Sequence, residues 1–225
     1  MTLCIAWKEK GQLHFVSDSR ISFPNNAPFD EAIKIVPVRI EIDMMNPHTG
    51  SDEDLFHGDI GMCFSGSTVN AFALREALYD RVRGLLMPSF TFDQITHRIF
   101  EQYVKVSKSL CHSLVGAKGQ SALFIAGFCY ETQSTKAFKL SPVSSNANDY
   151  EYYEILINDG DVELMGSGSQ IAKELIQQIS KEHSLTDALP SILKQVIENE
   201  HIDSVGGRIR YGYFKRKDNF KSHWL

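Results

Sequence analysis

The sequence predicts an α+β protein in which two β-sheets lie face to face between two layers of helices, a four-layer αββα sandwich. Three observations lead there. Apolar residues make up 43% of a 225-residue chain, enough to fill a sizeable core. Strand-like and helix-like segments come in blocks, in the order strands, two helices, strands, two helices, strand, which is segregated rather than strictly alternating. Each helical block carries an apolar stripe that needs cover on one side, and a pair of sheets between helical layers buries all of these faces. No repeat or linker interrupts the order, so residues 1–225 read as one domain, with an acidic loop insertion at about residues 43–59.

The elements follow in turn. Residues 3–7 are an apolar strand, residues 8–11 a Lys-Glu-Lys-Gly turn, and 13–18 a returning strand, so a hairpin starts almost at once. After a Pro/Asn-rich loop over 23–29, residues 33–42 alternate as a strand, with Pro37 marking an edge or bulge. Residues 44–59 are polar and acidic and include Pro47, Gly50 and Gly58, the composition of an exposed loop or a long hairpin tip. A short apolar strand over 60–64 meets Ser65-Gly66-Ser67, and helical spacing then runs over 69–86 and, past Pro88, over 92–112. Strands return at 121–128, 135–140, 150–157 and 162–165. Gly166-Ser167-Gly168-Ser169 leads into a helix reaching Ile179, a second helix covers 187–199, and a last strand covers 208–214.

Composition excludes several functions. The net charge is −5 and no long run of basic residues appears, so nucleic acid is not an expected partner. No apolar stretch approaches a bilayer span and no basic-then-apolar leader pattern opens the chain, which points to a cytoplasmic protein without a membrane partner. Cys4, Cys63, Cys111 and Cys129 lie singly in apolar segments, as reduced thiols packed like small hydrophobes do. His48 and His57 share a carboxylate-rich stretch with Asp52, Glu53 and Asp54, where solvated charge is the stronger reading and a metal the weaker one. No metal or cofactor is expected.

Three places could carry chemistry. Gly166-Ser167-Gly168-Ser169 enters a helix, where free amides can hold a phosphate, but it lacks both the GK[ST] ending of a P-loop and a full GxGxxG, and a helix cap explains it. Phe64-Ser65-Gly66-Ser67 sits at a strand-to-helix turn without the GxSxG of a nucleophile elbow and without a histidine base, so it reads as a turn whose amide has a use. The third place is the N-terminus. Removal of Met1, which a small Thr2 side chain permits, gives one residue a hydroxyl nucleophile and an α-amine with an ordinary pKa near ~8. Asp18 stands 16 residues after Thr2 and Lys34 another 16 after Asp18, both at strand ends. Taken alone, such a match usually means an ordinary hairpin-end charge at Asp18 and a solvated strand residue at Lys34.

A set of motifs in order weakens that plain reading. Thr2 ahead of an apolar strand, Ser17-Asp18-Ser19-Arg20, Lys34-Ile35, Cys63-Phe64-Ser65-Gly66-Ser67 before a helix, Phe124-Ile125-Ala126-Gly127-Phe128, Gly166-Ser167-Gly168-Ser169 and Asp203-Ser204-Val205-Gly206-Gly207 together resemble the proteasome β-type family of N-terminal nucleophile (Ntn) hydrolases over nearly the whole chain. The first three keep the family's register counted from Thr2. The bacterial branches, the Anbu type and the β-proteobacterial homologue, are nearer than the eukaryotic subunits. Two departures stand out: the Lys34 to Gly66 interval is longer than usual, and Val205 occupies a place where a serine often precedes the two glycines, which shifts the register of Asp203 and Ser204.

The resemblance implies a threonine-type peptidase. In that scheme Thr2 Oγ attacks a peptide carbonyl, the Lys34 ammonium lowers the pKa of hydroxyl and amine, Asp18 holds the lysine, and the Gly66 N–H meets the oxyanion. Ser167, Asp203 and Ser204 position the amine, Phe64 forms the pocket floor and Arg20 belongs to the substrate side. The family also implies a homo-oligomer, as stacked rings or a helical array, contacts through exposed apolar positions of the 69–86 and 92–112 helices, peptide or unfolded protein as substrate, and an ATPase partner as a candidate feeder. A small-molecule amidase on the same fold and a catalytically silent assembly protein are the competing readings.

Overall fold

The structure, a computed structural model, describes all residues except 1, 24–25, 47, 115, 144–148, 179–183 and 200–201. The chain forms β1 (Leu3–Glu9), β2 (Gln12–Ser17), β3 (Ile35–Met45), β4 (Asp52–Gly66), α1 (Thr68–Tyr79), β5 (Leu85–Leu86), α2 (Phe92–Leu114), β6 (Ser121–Cys129), β7 (Ser134–Pro142), β8 (Tyr150–Ile155), β9 (Val162–Gly166), α3 (Ser169–Ile176), α4 (Leu185–Ile197), β10 (Arg210–Arg216) and β11 (Asn219–Trp224). One sheet has the order β11-β10-β2-β1-β9 and the other β5-β3-β4-β6-β7-β8.

Three buried clusters fill the three gaps of an αββα sandwich. Alternation along β1 sends Cys4 and Ala6 to the inter-sheet cluster, with Phe15, Phe124 and Phe220, and sends Leu3, Ile5 and Trp7 to the cluster under α3 and α4. The third cluster joins the six-stranded sheet to α1 and α2 through Val36, Ile40, Phe64, Leu74, Ile95 and Ile99. Strands buried on both faces read as continuous apolar runs, which is why β1 and β6 stood out in the sequence. The four cysteines are free and buried. Burial, followed by the neighbouring Cys63 thiol, pushes the Cys4 thiol up, so it stays protonated.

Residues 43–59 take the hairpin form rather than the loop form. β3 and β4 pair antiparallel from Ile35 opposite Cys63 to Met45 opposite Asp52, with an irregularity after Ile42, so the acidic residues are strand residues and the turn occupies only 46–51. Pro37 falls where β3 has β4 on one side and no described strand on the other, since β5 meets β3 only at Ile42 and Asp43. Two helix limits and one strand differ from expectation. Helix α1 stops at Tyr79 and residues 85–86 are the short β5, because Arg83 turns back to bind Glu41 of β3 at 2.6 and 2.9 Å. Helix α3 ends at Ile176, and Ile179 lies outside the described residues. The sequence reading ended at β10, whereas β11 follows and lays Phe220 into the inter-sheet cluster. Among the described residues, no helix is long and apolar enough to cross a membrane.

Candidate active site

The strand ends of β1 and β2 build the site. Strand β2 ends at Ser17, and the next residue continues the pairing: Asp18 N–H donates to Leu3 O at 3.3 Å, and Leu3 N–H donates to Asp18 Oδ1 at 2.9 Å. The same Oδ1 accepts from Lys34 Nζ at 3.0 Å. One carboxylate oxygen therefore bridges the lysine ammonium and the peptide link that joins Thr2 to Leu3. Asp18 Oδ2 accepts from the amides of Arg20 and Gly206, each at 3.1 Å, and Lys34 Nζ donates again to Arg20 O at 2.6 Å. Asp18 is 0% and Lys34 1% exposed, while Thr2 is 3% exposed. A buried ion pair is tolerable only when hydrogen bonds satisfy the remaining polar atoms, and four donors around one carboxylate meet that condition.

The lysine is anchored from the other sheet. Phe64 N–H donates to Lys34 O at 3.2 Å, which ties the residue just before β3 to the end of β4. That strand finishes at Gly66, whose φ of +95° and whose approach to Gln120 O, 2.7 Å from where a Cβ would stand, both demand glycine. Ser67 then caps α1, accepting from Asn70 N–H at 3.3 Å. The turn expected to have a useful amide is thus an exposed glycine between a strand end and a capped helix.

Gly166, Ser167 and Ser204 close the opposite side. Gly166 pairs with Leu3 at the end of β9 with φ +103°, and a Cβ there would stand 1.9 Å from Thr2 O. Ser167 Oγ reaches Thr2 O at 3.5 Å and shares a 2.8 Å hydrogen bond with Ser204 Oγ. The 203–207 loop is held by its backbone: Asp203 O accepts from Arg20 Nη1 at 3.3 Å, and Ser19 N–H donates to Gly206 O at 3.1 Å. Asp203 itself is exposed and contacts this cluster through its carbonyl, not through its carboxylate.

Two expected substrate contacts are placed differently. Arg20 is engaged by Asp30, Nε to Oδ1 at 2.7 Å and Nη2 to Oδ2 at 2.8 Å, so its fork braces the 30–34 segment. Hydrogen bonding to Arg20 holds Asp30 below the usual carboxylate range. Phe64 is 1% exposed and packs edge-on against Phe72, ring centroids 5.6 Å apart. It is Phe72, with Ile21, Ala32, Ile33 and Val36, that lines a cavity of about 390 Å³, and Lys34 itself is not in the lining. Glu31, Arg75 and Arg210 supply its polar groups. Neither Asp30 nor Phe72 was singled out in the sequence. The helical spacing of Phe72 marked it as core, and Asp30 follows an irregular loop with no periodic signal.

For a metal, Asp43, Asp54 and His57 bring one ligand atom each within 4.8 Å of one another on the β3–β4 hairpin. His57 Nε2 and Asp43 Oδ1 already share a 2.7 Å hydrogen bond, and Asp54 is 83% exposed.

No family model matches the sequence. Solved structures do match it. Anbu (ancestral beta-subunit) from Yersinia bercovieri superposes with a TM-score of 0.68 at 14% identity, over 98% of this chain and 86% of that one. The fold is that of the Anbu structures. The chain of the helical assembly of the Anbu complex from Pseudomonas aeruginosa gives 0.69 at 13% identity, over 99% and 86%. An Anbu (Gly-1) mutant from Hyphomicrobium sp. strain MC1 gives 0.66 at 11% identity, over 100% and 87%.

Proposed function

We propose that the protein is a threonine-type peptidase whose nucleophile is Thr2, freed by removal of Met1, working inside a self-compartmentalising homo-oligomer. The observation that carries this reading is the single oxygen, Asp18 Oδ1, shared by Lys34 Nζ and the Leu3 amide. A lysine kept dry and paired beside the first peptide link has no evident structural purpose, because a buried ion pair is roughly neutral or costly compared with apolar packing. Beside a nucleophile it supplies fixed positive charge.

In this mechanism Thr2 Oγ attacks the carbonyl carbon of the scissile bond, and its proton passes to the freed α-amine. The Gly66 N–H stabilises the oxyanion by roughly 3 kcal/mol, the usual worth of one such donor. The amine leaves with a proton from the same base, and water then hydrolyses the ester on Thr2 Oγ. The Ser167–Ser204 hydroxyl pair holds the Thr2 backbone, and Asp203 holds the loop that carries Ser204. The cavity lined by Ile33 and Val36, which flank Lys34-Ile35 in the chain, receives the substrate side chain preceding the scissile bond. Its apolar lining of Ile21, Ala32, Val36 and Phe72 suits an aliphatic side chain, with Phe64 acting from behind Phe72.

The helical assembly known for the Pseudomonas aeruginosa Anbu complex supports the homo-oligomeric part. Exposed Val69 and Tyr79 on α1 offer apolar contact surface, whereas α2 shows no large exposed apolar side chain among the described residues. The deciding experiment measures intact mass and cleavage of a peptide library together. Loss of Met1 with cleavage abolished by Thr2→Ala supports the peptidase. Retention of Met1 in the native host, or cleavage undiminished in Thr2→Ala, defeats it.

A further inference from the structure

At the end of the sandwich farthest from Thr2 lies a second concave site. Strand β1 runs from Leu3 at the threonine end to Glu9, a span of about 20 Å at 3.3 Å per residue. The β1–β2, β6–β7 and β10–β11 turns meet at that far end, the first and last from one sheet and the second from the other. Between them is a cavity of about 440 Å³ whose walls include Lys8, Gln12, Thr135, Lys215, Arg216 and Lys217, with Phe214 also in the lining. No carboxylate lines it.

These cations differ from the others nearby. On the adjoining strand β7, Lys136 pairs with Asp93 at 2.8 Å and Lys139 with Glu163 at 2.7 Å. Among the described residues, none of Lys8, Lys215, Arg216 and Lys217 has a carboxylate oxygen within 4 Å; Lys8 Nζ donates to the Ile157 carbonyl at 2.9 Å, and Lys217 Nζ to Gln133 Oε1 at 3.4 Å. Lys215-Arg216-Lys217 is also the only run of three basic residues in a chain of net charge −5. Four like charges gathered in one concavity repel each other, and an acidic protein offers many carboxylates that could have been placed there.

We infer that this cleft binds a small, multiply charged phosphoryl anion. Its volume is that of a small-molecule site, and ammonium groups, a guanidinium fork and the Ser134 and Thr135 hydroxyls are the donors that phosphoryl oxygens take. A long polyanion fits poorly. The same end carries the acidic β3–β4 hairpin, joined to the β10–β11 turn where Asp59 N–H donates to Asp218 O at 2.9 Å, and its exposed Asp52, Glu53 and Asp54 repel an extended phosphate backbone. The inference stands independently of the Thr2 reading, because no residue is common to the two sites.

The test is calorimetric titration of the purified, assembled protein with inorganic pyrophosphate and with ADP at low ionic strength. Saturable binding of pyrophosphate, weakened about tenfold or more in Lys215→Glu/Lys217→Glu, the worth of one charge-assisted contact, and unchanged in Thr2→Ala, supports the site. Lys8→Gln is the second variant, and the melting temperature of each shows that it is folded. Three results overturn the inference: no saturable heat with either ligand, equal affinity in the charge-reversed variant, or tighter binding of a single-stranded oligonucleotide than of pyrophosphate.

Discussion

The two ends of this sandwich handle charge in opposite ways. At the threonine end Lys34 and Asp18 are dry and saturated, with two bonds from the lysine and four into the carboxylate. At the far end Lys215, Arg216 and Lys217 are exposed and face no carboxylate within 4 Å among the described residues. Desolvated charge is costly to leave unpaired, so the first end is committed to one geometry. Solvated charge is cheap, so the second can wait for a ligand. Substitutions in the buried Lys34–Asp18 pair therefore act on activity and stability together, and those at the far end chiefly on binding.

The largest effect is expected from Thr2→Ala, which removes the nucleophile and lowers peptide cleavage by about 10⁴-fold or more while leaving the melting temperature nearly unchanged. Lys34→Met comes next. It leaves Asp18 buried with three amides and no counter-charge, and denaturant unfolding should show a loss of about 3–5 kcal/mol together with lost activity. A variant that lost activity without losing stability would mean that the pair is less buried than it stands here. Gly66→Ala is smaller, about 1–3 kcal/mol, because a Cβ is set at φ +95° and 2.7 Å from Gln120 O, and strain at that position also moves the amide assigned to the oxyanion.

What the sequence revealed follows the same division. Thr2, Asp18 and Lys34 were singled out by a series of motifs in order, since their strand-end places alone also fit ordinary hairpin-end and strand charges, and β1 and β2, buried on both faces, show only as apolar runs. The hairpin over 35–66 was half legible: turn residues marked the tip, but charged strands with little apolar alternation look like loop. Strand β11 was passed over for that reason, since Phe220 is its only buried side chain. Contacts between distant loops left no local trace. The Ser167–Ser204 hydrogen bond spans 37 residues and the Arg20–Asp30 fork depends on an irregular loop, so both appear only once the chain is folded. The basic cleft was missed because its cations come from separate turns, with only Lys215-Arg216-Lys217 adjacent.

Glu9 shows a buried-style role at the far end. Ser184 precedes α4 without using its side chain as a cap; the Glu9 carboxylate, 176 residues away from Leu185, accepts from the Leu185 and Thr186 amides at 3.1 and 3.0 Å. Burial pushes this carboxyl up, but hydrogen bonds from Thr186, Ser184 and Leu185 outweigh it and hold the pKa below the usual value. A depressed folded-state pKa contributes stability above the unfolded-state value near ~4.5 and loses it as the pH falls through the folded-state value. Glu9→Gln should accordingly cost about 1 kcal/mol at pH 7, and the gap to the wild type should close as unfolding is measured at progressively lower pH below 4.5. A gap that stayed constant with pH would place the effect in packing instead.

The smallest effect is the most informative about the contrast. Lys215→Glu/Lys217→Glu alters exposed residues, and such changes typically move stability by no more than about 0.5 kcal/mol. Its sign should be favourable in the absence of ligand, because the substitutions relieve repulsion among four cations lining one cleft. Salt exposes the cause. Raising ionic strength from about 0.01 to 0.15 M shortens the screening length from about 30 to 8 Å, so the wild type should gain a few tenths of a kcal/mol from relieved repulsion that the variant does not gain. Pyrophosphate should stabilise the wild type in the same melting assay and leave the variant where it was, since a ligand that binds only the folded protein raises its melting temperature in proportion to occupancy. A wild type indifferent to both salt and pyrophosphate would mean that the four charges are too far apart to act together, and the far end would then be ordinary solvated surface.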